Sequence, residues 1–211
     1  MNEPAEKPPA RKPRLDPASG RPLVSIRMGE VYVTDGDEVI STVLGSCIAV
    51  CVRDRERGVG GMNHFMLPTV SLRDNSLWEL TDVNTAARYG SHAMEYLINA
   101  VLQKGGRRNH LEFKLFGGGD ILGAFTSVGA DNVRFIRRYM QEEGYGVAAE
   151  CLGRPYPIKV QFHPASGVAR VKHLKEKVSE VAAEEKRYLR NLMEVEVGGE
   201  VELFVPPRGR D

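Results

Sequence analysis

Cysteine is scarce in this chain: Cys47, Cys51 and Cys151 are the only three among 211 residues. So sparse and odd a set excludes the dense cross-linking of small secreted scaffolds and points to a reduced, cytoplasmic protein. Net charge is also missing. Lysine and arginine number 29 against 28 aspartates and glutamates, so the basic excess that marks nucleic-acid binding is absent. No apolar run approaches the roughly 20 residues that cross a bilayer as a helix, which argues against membrane insertion. The charged N-terminus does not lead into the apolar core of a secretory signal. Phosphate-binding loops are absent too: neither GxxxxGK[ST] nor a GxGxxG between strand and helix occurs.

What is present is enough apolar material, 42% of residues, for one sizeable domain with extensions. Six of the 12 prolines fall within residues 1–22, where almost nothing can be buried, and a disordered tail is expected there. Short strand patterns follow from Leu23 to Met66. Pro68 to Leu80, which holds Trp78, the chain's one tryptophan, reads as a loop. Helical spacing returns from Thr81 to Lys104 and from Asp131 to Glu143, with a strand at Leu111–Phe116 between them. His92, on the first of these helices, reads as a surface or packing residue. Strands are expected at Gly146–Leu152, Pro157–Phe162 and Val168–Val171. The order predicts an α+β fold, a single domain over residues 23–172 with helices packed on a mixed or antiparallel sheet. Residues 173–211 are read as an extension, built on an amphipathic helix over Lys172–Met193, expected to pack on its own domain, and a hairpin around Gly198-Gly199.

The chemistry gathers between Ser41 and Pro68. Cys47 follows a Gly-Ser turn and begins one strand pattern; His64 ends the next. Antiparallel pairing of the two would bring thiol and imidazole together, the arrangement that activates a cysteine nucleophile. The amides of Ser46 and Cys47 at the turn are candidates for holding an oxyanion. Ser41 and Thr42, just upstream, offer a hydroxyl to orient the imidazole. Adjacent residues on a strand face opposite ways, so only one of these two can do so. A shared metal site with Cys51 is excluded, since residues four apart on a strand are roughly 13 Å apart. Cys51 and Cys151 read as core residues. The triple glycine Gly117-Gly118-Gly119 is either a tight backbone crossing or a wall of a substrate cleft. From the residues alone, Cys47 is either a small buried hydrophobe or a nucleophile.

Four segments carry a resemblance: LGSCIAVCVRD (Leu44–Asp54), VGGMNHFMLP (Val59–Pro68), KLFGGG (Lys114–Gly119) and FHPASGVARVK (Phe162–Lys172). In this order the chain resembles the chemoreceptor glutamine deamidase family CheD. The resemblance implies a layered α/β/β sandwich, related to bacterial toxin deamidases. It also implies hydrolysis of glutamine side chains on methyl-accepting chemotaxis receptors, with ammonia released through a cysteine thioester. The family's catalytic set is Cys, His and Thr. Cys47 and His64 match the first two, and the third falls to Thr42 or Ser41, with Thr42 keeping the residue type. No metal or organic cofactor is implied. The implied partners are the receptors' cytoplasmic domains and a CheC-type phosphatase. The competing functions are a non-catalytic adaptor of that phosphatase and a different cysteine hydrolase. An arginine common in the family before the asparagine of its loop is replaced here by Asp131, beside Asn132.

Overall fold

The computed structural model describes residues 14–67, 81–122 and 127–194. Among these described residues, ten strands and three α-helices follow in order: β1 (Arg14–Leu15), β2 (Pro22–Ser25), β3 (Val31–Thr34), β4 (Val39–Leu44), β5 (Ile48–Asp54), β6 (Gly60–Asn63), α1 (Thr81–Gln103), β7 (Leu111–Gly117), α2 (Val128–Glu142), β8 (Val147–Leu152), β9 (Ile158–His163), β10 (Val168–His173) and α3 (Val178–Glu194). They build two five-stranded sheets. The first has the order β1-β2-β4-β9-β10, the second β3-β6-β5-β7-β8. Both are mixed: β2 and β4 pair in parallel, as do β7 and β8, and the remaining pairs are antiparallel.

The sequence dictates the layering. Strand β5 is a nearly continuous apolar run, the mark of a strand covered on both faces. Ile48, Val50 and Val52 face α1 and α2, packing with Met94, Leu97, Val101 and Ile136. Cys47 before the strand, with Ala49 and Cys51 on it, faces the other way, toward Ile40, Leu44, Val160 and Phe162 of the first sheet. In β9 the alternation is strict: Ile158, Val160 and Phe162 are buried, while Lys159, Gln161 and His163 between them are partly exposed. Helices, second sheet and first sheet thus form three layers, the α/β/β arrangement expected.

Three expectations change in detail. Residues 14–22, placed by proline content in a disordered tail, carry β1 and the start of β2. Asp16 between them is buried, bonded to Ser19 at 2.6 Å and to Gln161 at 2.9 Å. Those polar anchors supply what the segment lacks in apolar side chains. Strand β10 runs on to His173, so the last helix begins later than its periodicity suggests, after a 3₁₀ turn at Lys175–Lys177. Helix α2 begins earlier, at Val128. The first 13 residues, the Trp78 loop and the Gly198-Gly199 hairpin lie outside the described residues. Among the described residues no helix is long and apolar enough to cross a membrane.

Candidate active site

The Cys47 end of β5 lies between the sheets, and pairing register decides what faces it. Ile48 pairs with Phe65 and Cys51 with Met62 across the antiparallel β5–β6 ladder. With a side-chain period of two, Cys47 and His64 fall on the same face as diagonal neighbours, but no hydrogen bond joins thiol and imidazole, and Nε2 of His64 has no partner among the described residues. The His64 backbone is fixed on its other side, where its amide donates to the Glu30 carbonyl at 3.0 Å and its carbonyl accepts from Gly29 at 2.7 Å.

Across the layer, β4 presents Thr42. Its Oγ1 lies 2.8 Å from His64 Nδ1 and 2.9 Å from the Ile26 carbonyl oxygen. A carbonyl only accepts, so the one hydroxyl proton goes to Ile26. Nδ1 must then carry the ring proton and donate to Thr42. This leaves Nε2 with a free lone pair, buried and without a protein partner among the described residues. Ser41 points the other way and donates to the Val160 carbonyl at 3.0 Å. Thr42, and not Ser41, touches the imidazole.

At the turn before β5, three consecutive amides aim at one point. Gly45 and Cys47 donate to one carboxylate oxygen of Glu185, at 3.0 and 3.3 Å. Ser46 donates to the other oxygen from its amide at 2.8 Å and its hydroxyl at 2.7 Å. Such a run of converging N–H groups is an anion-binding concavity. Glu185 is buried and comes from α3, whose inward stripe is otherwise apolar: Val178, Val181, Ala182, Tyr188 and Leu189. The Gly45 backbone admits this approach only because it lacks a side chain. A Cβ there would lie 2.1 Å from Ile121 Cδ1 and 2.7 Å from a Glu185 oxygen.

The turn is braced from behind. The Gly118 amide donates to the Cys47 carbonyl and the Gly119 amide to that of Gly45, each at 2.7 Å. At Gly117, with φ of +104°, a Cβ would stand 2.0 Å from the Cys47 carbonyl oxygen. The triple glycine is therefore a close backbone crossing behind the turn. Asn132 of α2 completes the brace: Nδ2 donates to the Ser46 carbonyl and Oδ1 accepts from the Leu67 amide, each at 2.9 Å.

The electrostatics follow from burial. Burial pushes the Cys47 thiol well above its ordinary pKa, and the Glu185 carboxylate beside it pushes in the same direction. Burial also pushes His64 down to about 3. Both groups are neutral at pH 7. The accessible groove that a nucleophile at a strand end suggests is covered here, since Cys47 has no exposed surface and α3 lies over it. A cavity of about 180 Å³ opens elsewhere, on the outer face of the first sheet, lined by Arg21, Gln161, His163 and Arg170 among others.

Cys51 is core, while Cys151 is half-buried. His92 is exposed on α1. The sequence reading missed Asn132 and Glu185 as site residues. Both are polar residues on otherwise apolar helical stripes, and that mismatch was the available signal.

A family model described as CheD, chemotactic sensory transduction, matches residues 66–173. The chain belongs to the CheD family. This CheD-family chain is 51% identical over 177 residues to the "Probable chemoreceptor glutamine deamidase CheD" of Halorhodospira halophila, covering 83% of this chain and 82% of the relative. The protein of the same name in Hydrogenovibrio crunogenus is 48% identical over 90% of this chain and 98% of its own length. That of Methylobacillus flagellatus is 42% identical over 97% and 100% respectively. The matched family region begins after His64, whereas the relatives align across most of the chain.

Proposed function

We propose that this protein deamidates glutamine side chains on the cytoplasmic domains of chemotaxis receptors, leaving glutamate and releasing ammonia. The names of its relatives support the substrate class. The observation that carries the chemistry is the meeting of three converging amides with Cys47, on a face shared with a Thr42-held imidazole.

The reaction is an acyl transfer. His64 Nε2 takes the Cys47 proton as sulfur attacks the carboxamide carbon. The oxyanion forms against the amides of Gly45, Ser46 and Cys47. Imidazolium passes its proton to the nitrogen, the C–N bond breaks, and ammonia leaves a thioester on Cys47. Water, deprotonated by Nε2, then displaces the thiolate and yields glutamate. Thr42 holds the ring so that the lone pair faces inward. Chain residues supply every proton carrier, and the scheme uses no metal or organic cofactor. A CheC-type phosphatase is a second partner in this reading.

Incubation with a purified receptor cytoplasmic fragment tests the proposal. Each converted glutamine gains about one mass unit, as amide becomes acid, and one ammonia appears per site. Cys47→Ala and His64→Ala should abolish both signals while retaining the fold. A Cys47→Ala protein that releases ammonia at the parental rate refutes the assignment, and ammonia release absent from every form leaves the adaptor reading.

A further inference from the structure

A buried carboxylate on an apolar helical stripe is costly unless its setting is built for it. Glu185 is 2% exposed, and no cation pairs with it among the described residues. Among the described residues its hydrogen-bond donors all belong to the turn that carries Cys47: the amides of Gly45, Ser46 and Cys47 and the Ser46 hydroxyl. These are the donors that the acyl-transfer scheme reserves for the oxyanion. A glutamate carboxylate is also the reaction's own product group.

The rest of α3 is seated to match. Val181 and Ala182 are buried in the inter-sheet core one turn before Glu185. One turn after it, the Tyr188 hydroxyl lies 3.3 Å from that of Tyr89 on α1. The helix is tethered close by, since the Leu174 amide donates to the Pro157 carbonyl at 2.8 Å and the 3₁₀ turn follows at once. So short a tether gives α3 a high effective concentration at the site.

We propose that α3 is a built-in plug of the active site, with the Glu185 carboxylate occupying the place of the substrate's side-chain amide as a product mimic. The protein is held inactive until α3 is lifted, and a substrate segment must displace it. This rests on the deamidase reading for the identity of the mimicked group, though blockade of the thiol is independent of it.

Two variants of the full chain test the plug. Glu185→Ala removes the carboxylate. Glu185→Gln is nearly isosteric but has one acceptor oxygen, so its NH₂ must face donors. The direct readout is the rate of iodoacetamide alkylation at Cys47, resolved from Cys51 and Cys151 by peptide mapping. Both variants should alkylate about tenfold faster or more, the equivalent of losing one hydrogen bond to a charged group, and should release ammonia faster from the receptor fragment. Glu185→Gln also presents a carboxamide to Cys47. Conversion of that side chain should add about one mass unit at position 185, and Cys47→Ala in the same chain should prevent it. Faster alkylation with no ammonia from any form keeps the plug and sinks the deamidase. Unchanged or slower alkylation in both folded variants overturns the plug. So does faster alkylation accompanied by loss of the parental activity, because Glu185 would then serve the chemistry.

Discussion

The hydroxyl of Thr42 lies 2.8 Å from Nδ1 of His64, joining the two sheets at the one imidazole buried between them. Because the hydroxyl proton is committed to Ile26, this contact fixes the ring tautomer and frees Nε2. Thr42→Val should therefore lower kcat/KM on receptor fragments about ten- to a hundredfold, the scale of one lost orienting hydrogen bond. Thr42→Ser keeps the hydroxyl and should recover most of the rate. Ser41→Ala should stay within about twofold of the parent, because its bond goes to Val160. Steady-state ammonia assays on the three variants check this, and equal losses in Thr42→Val and Ser41→Ala contradict it.

Asn132 ties the Ser46 carbonyl to the Leu67 amide. Asn132→Leu strands two buried backbone groups. The expected cost is about 2–4 kcal/mol, from one to two unsatisfied groups, read by urea unfolding. Asn132→Asp keeps the acceptor for Leu67 but gives Ser46 no donor, and should lower the rate more than the stability. An unfolding midpoint unchanged in Asn132→Leu speaks against the brace.

Gly117 should not tolerate alanine. The added methyl meets the Cys47 carbonyl oxygen at 2.0 Å, on a backbone with φ of +104°. Left-handed strain alone costs about 1–3 kcal/mol, and the collision moves the turn that carries Cys47. Gly153→Ala is the control: its φ is +67°, but open space surrounds it. It should lose stability from strain alone and keep its rate. Comparable rate losses in both variants would show that the crossing does not position Cys47.

Stability should fall with acid through His64. Burial holds its folded pKa at about 3, against 6.5 for an ordinary imidazole. Between those values the unfolded chain binds a proton that the folded one refuses. The contribution is thus fully present above pH 6.5 and is lost as pH falls toward 3. The expected slope approaches about 1.4 kcal/mol per pH unit below pH 6. Unfolding free energies at pH 7.5, 5.5 and 4.5 measure it, and His64→Gln should flatten the curve over that range. Identical slopes in the two proteins rule out this source.

Local sequence went far here because periodicity is a local property. The apolar run of β5, the alternation in β9 and the spacing of α1 each follow from side-chain geometry within one segment. The period of two also put Cys47 and His64 on one face once the strands paired antiparallel. Composition misled at residues 14–22, where Asp16, Ser19 and Gln161 replace apolar burial with hydrogen bonds.

By itself, then, the sequence determined which residues form strands and helices, and which side chains share a face. Only the packing of layers decided that Thr42 rather than Ser41 meets the imidazole, since either face of β4 could have turned inward. Only packing brought Asn132, 86 residues away, to the Ser46 carbonyl, and Glu185, 138 residues away, to the Cys47 amide. The physical reason is that a repeat pattern marks a side as buried but carries no address for what buries it. That address is set by the joint fit of every layer, and it is where the chemistry of this site is assembled.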